Sequence, residues 1–262
     1  MTWTTRPRSE YPGEITGIRS GAGVPVVLIH GVGLTADSWG AQIEDLAQTY
    51  QVHALDLPGH GGSPALAGGI RLHDLTDVLA RAIGSIDWPV HLVGHSVGAL
   101  VALDMAVRYP DLVGSVAALN AIHRRSEQAR DAVRARAASM SASTNNDPVP
   151  TLTRWFGDAL DSEPAIACRR WLEAVEPAAY KATYAAFAEA DSPADEQLAA
   201  IGCPALFLTG TDEPNSTPEM SQSMASLVPG RAVIVPGAAH MAMMTHAAIV
   251  NAELISLFGE QS

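Results

Sequence analysis

The sequence predicts an α/β protein: a mostly parallel central sheet flanked by helices on both faces, with a helical insertion near two thirds of its length. Three observations carry this. Short, continuously apolar runs alternate with amphipathic segments of helical period, the pattern of buried parallel strands covered on both sides. One apolar run ends in Gly94-His95-Ser96-Val97-Gly98 and passes straight into a helix-like stretch. Between Ala121 and Ala200 no strand-like run occurs.

Taken in order, Val24 to Ile29 (VPVVLI) reads as a buried strand, Trp39 to Tyr50 as a helix and Val52 to Leu55 as a second strand. A helix over Leu72 to Ser85 precedes the strand Val90 to Val93. The helix from Val97 ends at Tyr109, where Pro110 blocks its continuation, and the strand Gly114 to Leu119 follows. After the insertion come the strand Pro204 to Thr209 (PALFLT) and a helix from Thr217 to Leu227. Thr217 stands at the N-cap of that helix and Pro218 at its first position. A strand over Ala232 to Val235 and a helix over Thr245 to Phe258 complete the chain. Glu14 to Ser20 supplies a short N-terminal hairpin. Residues 1–120 and 201–262 thus form the core and 121–200 a helical cap. The cap holds Trp155, Trp171, Tyr180, Tyr184 and Phe187, with a break at Pro148 and Pro150. An insertion leaving the carboxyl edge of the sheet lies where open α/β sheets bind ligands.

Composition narrows the function. The 262 residues, 47% hydrophobic and 17% charged, suit one globular domain with an inserted part. A net charge of −12 argues against nucleic acid or an anionic membrane as partner, since both require basic surface. The two cysteines, Cys168 and Cys203, show no metal or redox spacing, and no His/Asp pairing suggests a metal site. The polar stretch Met1 to Glu10 has no signal-peptide core, and no apolar run nears the roughly 20 residues that span a bilayer. The expectation is a cytoplasmic protein acting on a small molecule without metal or cofactor.

Gly-x-Ser-x-Gly between strand and helix is the sharp turn that lifts a serine hydroxyl above a sheet, at a helix N-terminus that favours developing negative charge. It marks Ser96 as a nucleophile. Acyl transfer also needs two N–H donors aimed at the nascent oxyanion. One is the residue after the nucleophile, Val97; the other comes from His30-Gly31-Val32-Gly33 at the end of the first buried strand, with Val32 the donor. A dinucleotide site is the rival reading of that loop, because Gly31-Val32-Gly33-Leu34-Thr35-Ala36 fits a relaxed phosphate-binding pattern and Asp56 ends the next strand. That reading leaves Ser96 unexplained, and Asp56 runs into a tight glycine turn, Leu57-Pro58-Gly59-His60-Gly61-Gly62-Ser63.

Position selects the base from nine histidines. His240, in the loop after the last strand, can reach a serine at the end of a neighbouring strand. His30 shapes the oxyanion loop, His60 the turn, and His95 is the variable residue of the pentapeptide. The acid belongs after PALFLT, where Asp212 and Glu213 are adjacent candidates; the slot after Leu119 offers Asn120 instead. Serine, acid, histidine is the chain order expected of such a triad.

Together the strings VVLIHGVG, ALDLPGHGGS, LVGHSVGALVAL, PALFLTG and VPGAAHM make the chain resemble the α/β-hydrolase superfamily along its whole length, nearest to small enol-lactonase-like and esterase-like enzymes. The resemblance implies the α/β-hydrolase fold, with Ser96 as nucleophile and His240 as base. Its usual acid slot, three residues past the strand-end glycine and before a proline, falls on Glu213, where the family more often has aspartate; Asp212 stays as the alternative. Substrate contacts are expected from His30, Asn120, His123, Arg124 and Trp155, with Arg124 and Arg125 able to hold a carboxylate. The expected activity is hydrolysis of a small ester or lactone through an acyl-enzyme. The alternatives are hydrolysis of a C–C or amide bond, a cofactor-free haloperoxidase or oxygenase, and a non-catalytic receptor.

Overall fold

A computed structural model describes residues 2–86 and 89–259, so the predicted outer limits at 1 and 262 lie outside the described residues. The strands are β1 (Ser9–Tyr11), β2 (Ile15–Ser20), β3 (Pro25–Ile29), β4 (Gln51–Leu55), β5 (Val90–His95), β6 (Val113–Leu119), β7 (Ala205–Gly210) and β8 (Gly230–Val235). They form one sheet in the order β1-β2-β4-β3-β5-β6-β7-β8. β2 runs antiparallel to both β1 and β4, and all other neighbours are parallel. The chain therefore adopts the α/β-hydrolase fold. The N-terminal hairpin starts earlier than predicted: its first arm is Ser9–Tyr11, and its second extends the main sheet.

The core helices are α1 (Gly40–Leu46), α2 (Leu72–Ile83) and α3 (Val97–Arg108) before the insertion. The insertion holds α4 (Glu127–Ser139), α5 (Val149–Phe156), α6 (Glu163–Ala174), α7 (Pro177–Glu189) and α8 (Asp195–Leu198). Then follow α9 (Pro218–Ala225), α10 (Ala242–Thr245) and α11 (Ala247–Gly259). Between β6 and β7 there is no strand among the described residues. Two helices differ from expectation. α1 ends four residues before Tyr50, because the Leu46 carbonyl accepts the N–H groups of Thr49 (3.1 Å) and Tyr50 (2.8 Å), and that closing turn delivers the chain straight into β4. The last helix is broken at His246, whose backbone (φ −127°, ψ 38°) is not helical.

Strand burial explains the apolar runs. Every residue of β3, β5 and β7 is buried, since each has neighbours on both edges and helices on both faces. α3 packs on β5, β6 and α2. Its apolar residues from Val97 to Met105 are therefore fully buried, and the segment lacks a polar face for the same reason. Ser96 bridges β5 and α3 with φ 57° and ψ −120°, a conformation that costs a residue with a Cβ of order 1–3 kcal/mol. The flanking glycines permit the turn. A Cβ on Gly94 would sit 2.0 Å from the Gly98 carbonyl oxygen, and one on Gly98 would sit 2.3 Å from that of Ile29. β5 and α3 thus touch backbone to backbone, and the packing of the core holds Ser96 in its strained geometry.

Candidate active site

The ends of β3, β5, β6, β7 and β8 converge at the carboxyl edge. Ile29 at the end of β3 is in register with Gly94. The Ser96 N–H donates to the Leu119 carbonyl (2.9 Å), carrying the β5–β6 ladder one residue beyond the strand. Gly31 lies against the serine, close enough that a Cβ on it would be 3.1 Å from the Ser96 Cβ. The Val97 N–H, first of α3, has no carbonyl four residues back to receive it. The Val32 N–H also has no acceptor among the described residues.

β7 and β8 bring the acid to the base. His240 Nδ1–H donates to Glu213 Oε2 at 2.7 Å. The other carboxylate oxygen, Oε1, accepts the N–H groups of Asn215 (2.7 Å) and Ser216 (3.3 Å). Burial raises the Glu213 pKa, but the charge and hydrogen bond of His240 and the two amides overcome it and bring the group to about 2. The carboxylate therefore stays ionised, holds His240 in the Nδ1–H form, and leaves Nε2 bare to accept a proton. Asp212 is exposed and its carboxylate accepts from Thr211 Oγ1 (2.9 Å), so of the two adjacent acids only Glu213 meets the imidazole.

A second histidine steadies this corner. His95 is fully buried, donates from Nε2 to the His240 carbonyl (2.8 Å), and places its ring 4.8 Å from that of His240. Nothing in the periodicity of the sequence announces that bond. Among the described residues Ser96 Oγ makes no hydrogen bond to His240. In resting enzymes this bond is often long and tightens only with substrate bound.

The five substrate-contact expectations fare differently. Trp155 of α5 stacks on the His240 ring, 5.6 Å between centroids at 23°, and stands at the site. His30 is corrected. It is fully buried, with Nε2 accepting from the Leu57 N–H (3.0 Å) and Nδ1–H donating to the Gly31 carbonyl (2.8 Å), so no nitrogen remains for a ligand. Asn120 is buried in a left-handed conformation (φ 53°); its amide donates to Thr209 Oγ1 (3.2 Å), tying the ends of β6 and β7 together, while its Oδ1 has no hydrogen-bond partner among the described residues. His123 joins the two ends of the insertion through Ser192 Oγ (2.6 Å). Arg124 pairs with Asp195 of α8, and the same contact removes it as a free carboxylate ligand. Arg125 is buried against the Phe187 ring and donates to the carbonyls of Phe187 (2.9 Å) and Ala190. In the loop after β3, Leu172 of α6 and Tyr180 of α7 press on Gly33, so residues of three insertion helices border the site.

Burial of neutral imidazoles has a measurable consequence. Burial brings His30 and His95 to about 3, with the charge of a neighbouring histidine adding to it; burial, helped by the charge of Arg19, brings His53 to about 4, and burial alone brings His91 to about 4. All four are depressed below the unfolded value near 6.5, so below that pH the unfolded chain binds protons that the folded chain refuses. Stability is whole above about pH 6.5 and is lost progressively toward pH 3. At pH 5 each fully buried imidazole costs about 2 kcal/mol, so His30 and His95 alone lower the melting temperature by roughly 10 °C relative to pH 7. Calorimetry at the two pH values checks this, and a flat melting temperature counts against it.

This architecture and this edge-mounted acid–histidine pair define an α/β-fold hydrolase. The chain belongs to the alpha/beta hydrolase family, whose model matches residues 26–253. It is 41% identical over 234 residues to (E)-2-((N-methylformamido)methylene)succinate hydrolase of Acinetobacter baylyi, covering 88% of this chain and 89% of that one. Among solved structures, an esterase from Thermogutta terrifontis superposes with a TM-score of 0.84 at 24% identity, covering 98% of this chain and 99% of that one. The enol-lactonase from Burkholderia xenovorans superposes with a TM-score of 0.83 at 22% identity, covering 97% and 100%. Among the described residues no helix is long and apolar enough to cross a membrane.

Proposed function

We propose that the protein is a serine hydrolase that cleaves a small carboxylate-bearing ester, lactone or amide through an acyl-enzyme. The observation that carries this reading is the pair of His240 and the buried Glu213 carboxylate, at the same sheet edge as a serine held at φ 57° on the end of β5. His240 Nε2 takes the Ser96 proton as the hydroxyl oxygen attacks the acyl carbon. The oxyanion rests on the N–H groups of Val32 and Val97. His240 then gives the proton to the leaving group, and water, activated by the same nitrogen, releases the acid. Glu213 stays ionised throughout and stabilises the imidazolium. Helices α4 to α8 act as the cap, with Trp155 over the base and Leu172 and Tyr180 over the oxyanion loop.

The substrate class rests on the Acinetobacter baylyi relative, whose name describes a formamide attached to a succinate, an amide-type bond on a dicarboxylate. Amide cleavage therefore stands beside ester and lactone cleavage. Treatment with a fluorophosphonate, followed by peptide mass spectrometry, should place the label on Ser96 alone. A panel of succinate half-esters and N-formyl enamides against their neutral methyl esters then reads the substrate class. No label on Ser96 removes the serine mechanism; faster turnover of the neutral esters removes the carboxylate preference.

A further inference from the structure

Two histidines outside the triad, His30 and His60, meet across the oxyanion loop, and every ring nitrogen of the pair is engaged by backbone. His30 Nδ1–H donates to the Gly31 carbonyl (2.8 Å), and its Nε2 accepts the Leu57 N–H (3.0 Å). His60 Nε2 accepts the Gly33 N–H (3.0 Å), and its Nδ1–H donates to the Pro58 carbonyl (3.1 Å). The arrangement is reciprocal: the loop's histidine holds the turn Leu57–Ser63, and the turn's histidine holds the loop. Their rings lie 5.5 Å apart, and both residues are buried.

We infer that His30 and His60 are positioning residues that aim the Val32 N–H at the oxyanion by fixing the two peptide planes on either side of Val32. The physical step is the planarity of the peptide group. In a trans peptide the carbonyl and the N–H point in opposite directions. The Gly31 carbonyl and the Val32 N–H belong to one such plane, so anchoring the carbonyl on His30 turns the N–H away from that ring. The next plane carries the Gly33 N–H, and His60 anchors it. Val32 is thus held on both sides, while its own N–H is left without an acceptor. Gly33, at φ 77°, makes the bend between the two anchors. Only the neutral Nδ1–H tautomer satisfies either ring, since a proton on Nε2 would face a backbone N–H; burial separately disfavours the charged, doubly protonated ring. An oxyanion donor works by being in place before charge develops, so a loop that can rotate gives up rate at the chemical step rather than substrate affinity.

This inference rests on the serine hydrolase reading, and its test separates the two. His60→Leu keeps bulk and removes the acceptor; His60→Gln restores an acceptor near the Nε2 position. Active sites are counted by fluorophosphonate titration, and affinity is measured for a trifluoromethyl ketone, whose hemiketal oxygen occupies the oxyanion position. His60→Leu is expected to lower kcat per titrated serine about 10- to 100-fold with KM nearly unchanged, and to weaken the ketone by the same factor. His60→Gln should regain most of both. A folded His60→Leu protein with kcat and ketone affinity within about twofold of the parent overturns the inference, as does a loss confined to KM. A parent protein that neither takes the label nor binds the ketone overturns the serine mechanism itself and this inference with it. Should His60→Leu fail to fold, nitrogen NMR of the unaltered protein decides: neutral Nδ1–H tautomers at both histidines support the arrangement, and an Nε2–H tautomer at either overturns it.

Discussion

Ser96→Ala is expected to lower kcat by about three to six powers of ten while leaving the fold intact. The hydroxyl makes no hydrogen bond to His240 in the resting structure, so its removal breaks no contact on which folding depends. Alanine carries the same Cβ as serine through φ 57°, and the glycines at 94 and 98 keep β5 against α3. Circular dichroism and the melting temperature should therefore match the parent within experimental spread. On the proposed mechanism, what is lost is the group that forms the acyl bond. The residual rate belongs to a water molecule attacking an acyl group still polarised by the Val32 and Val97 N–H groups. Ser96→Gly supplies a control with opposite local energetics. It is equally without nucleophile but relieves the backbone strain, so it should melt no lower than Ser96→Ala. Rates within tenfold of the parent for either variant would mean that bond cleavage does not pass through this serine.

Most of what this expectation needs was legible in the sequence, and the exceptions have physical causes. β3, β5 and β7 read clearly because strands buried on both faces are apolar throughout, and the bend at Ser96 read clearly because two close backbone approaches admit only glycine. The choice between Asp212 and Glu213 was legible only through the resemblance, whose acid slot falls on Glu213; the residues themselves left both open. Neighbouring residues in a turn point in different directions, and the direction is set by contacts with another segment. The Asp212 N–H is held by the Ala238 carbonyl (2.9 Å), which leaves its carboxylate in solvent, while Glu213 is buried against His240. The substrate-contact residues were hardest to read. Whether an arginine at the start of an insertion is free depends on partners far along the chain. Arg124 finds Asp195, 71 residues later, and Arg125 finds the carbonyls that end α7. His30 and His60 looked like loop-shaping residues, but their reciprocal bonds cross 27 positions that no periodicity connects.

Glu213→Gln is the second large effect: kcat is expected to fall by about two to four powers of ten, with KM changed much less. An amide at this position still offers an oxygen to the Asn215 and Ser216 N–H groups, so the turn keeps its shape. Its NH2 group then faces His240 Nδ1 and favours the imidazole with its proton on Nε2. In that tautomer Nε2 has no lone pair to take the hydroxyl proton, and on the proposed mechanism the imidazolium formed during attack has lost its counter-charge. The same substitution leaves a mark on stability with a definite sign. The folded carboxylate titrates at about 2, below its ordinary value of 4.5, so it contributes stability that is fully present above about pH 4.5 and disappears as the pH falls toward 2. The parent should therefore lose more stability than Glu213→Gln over that interval, while above it the variant is uniformly the weaker. Asp212→Asn is the matched control: its exposed side chain predicts activity within about twofold of the parent. A reversed outcome, with Asp212→Asn crippled and Glu213→Gln active, would move the acid to position 212 and undo the pairing from which the base and its tautomer were derived.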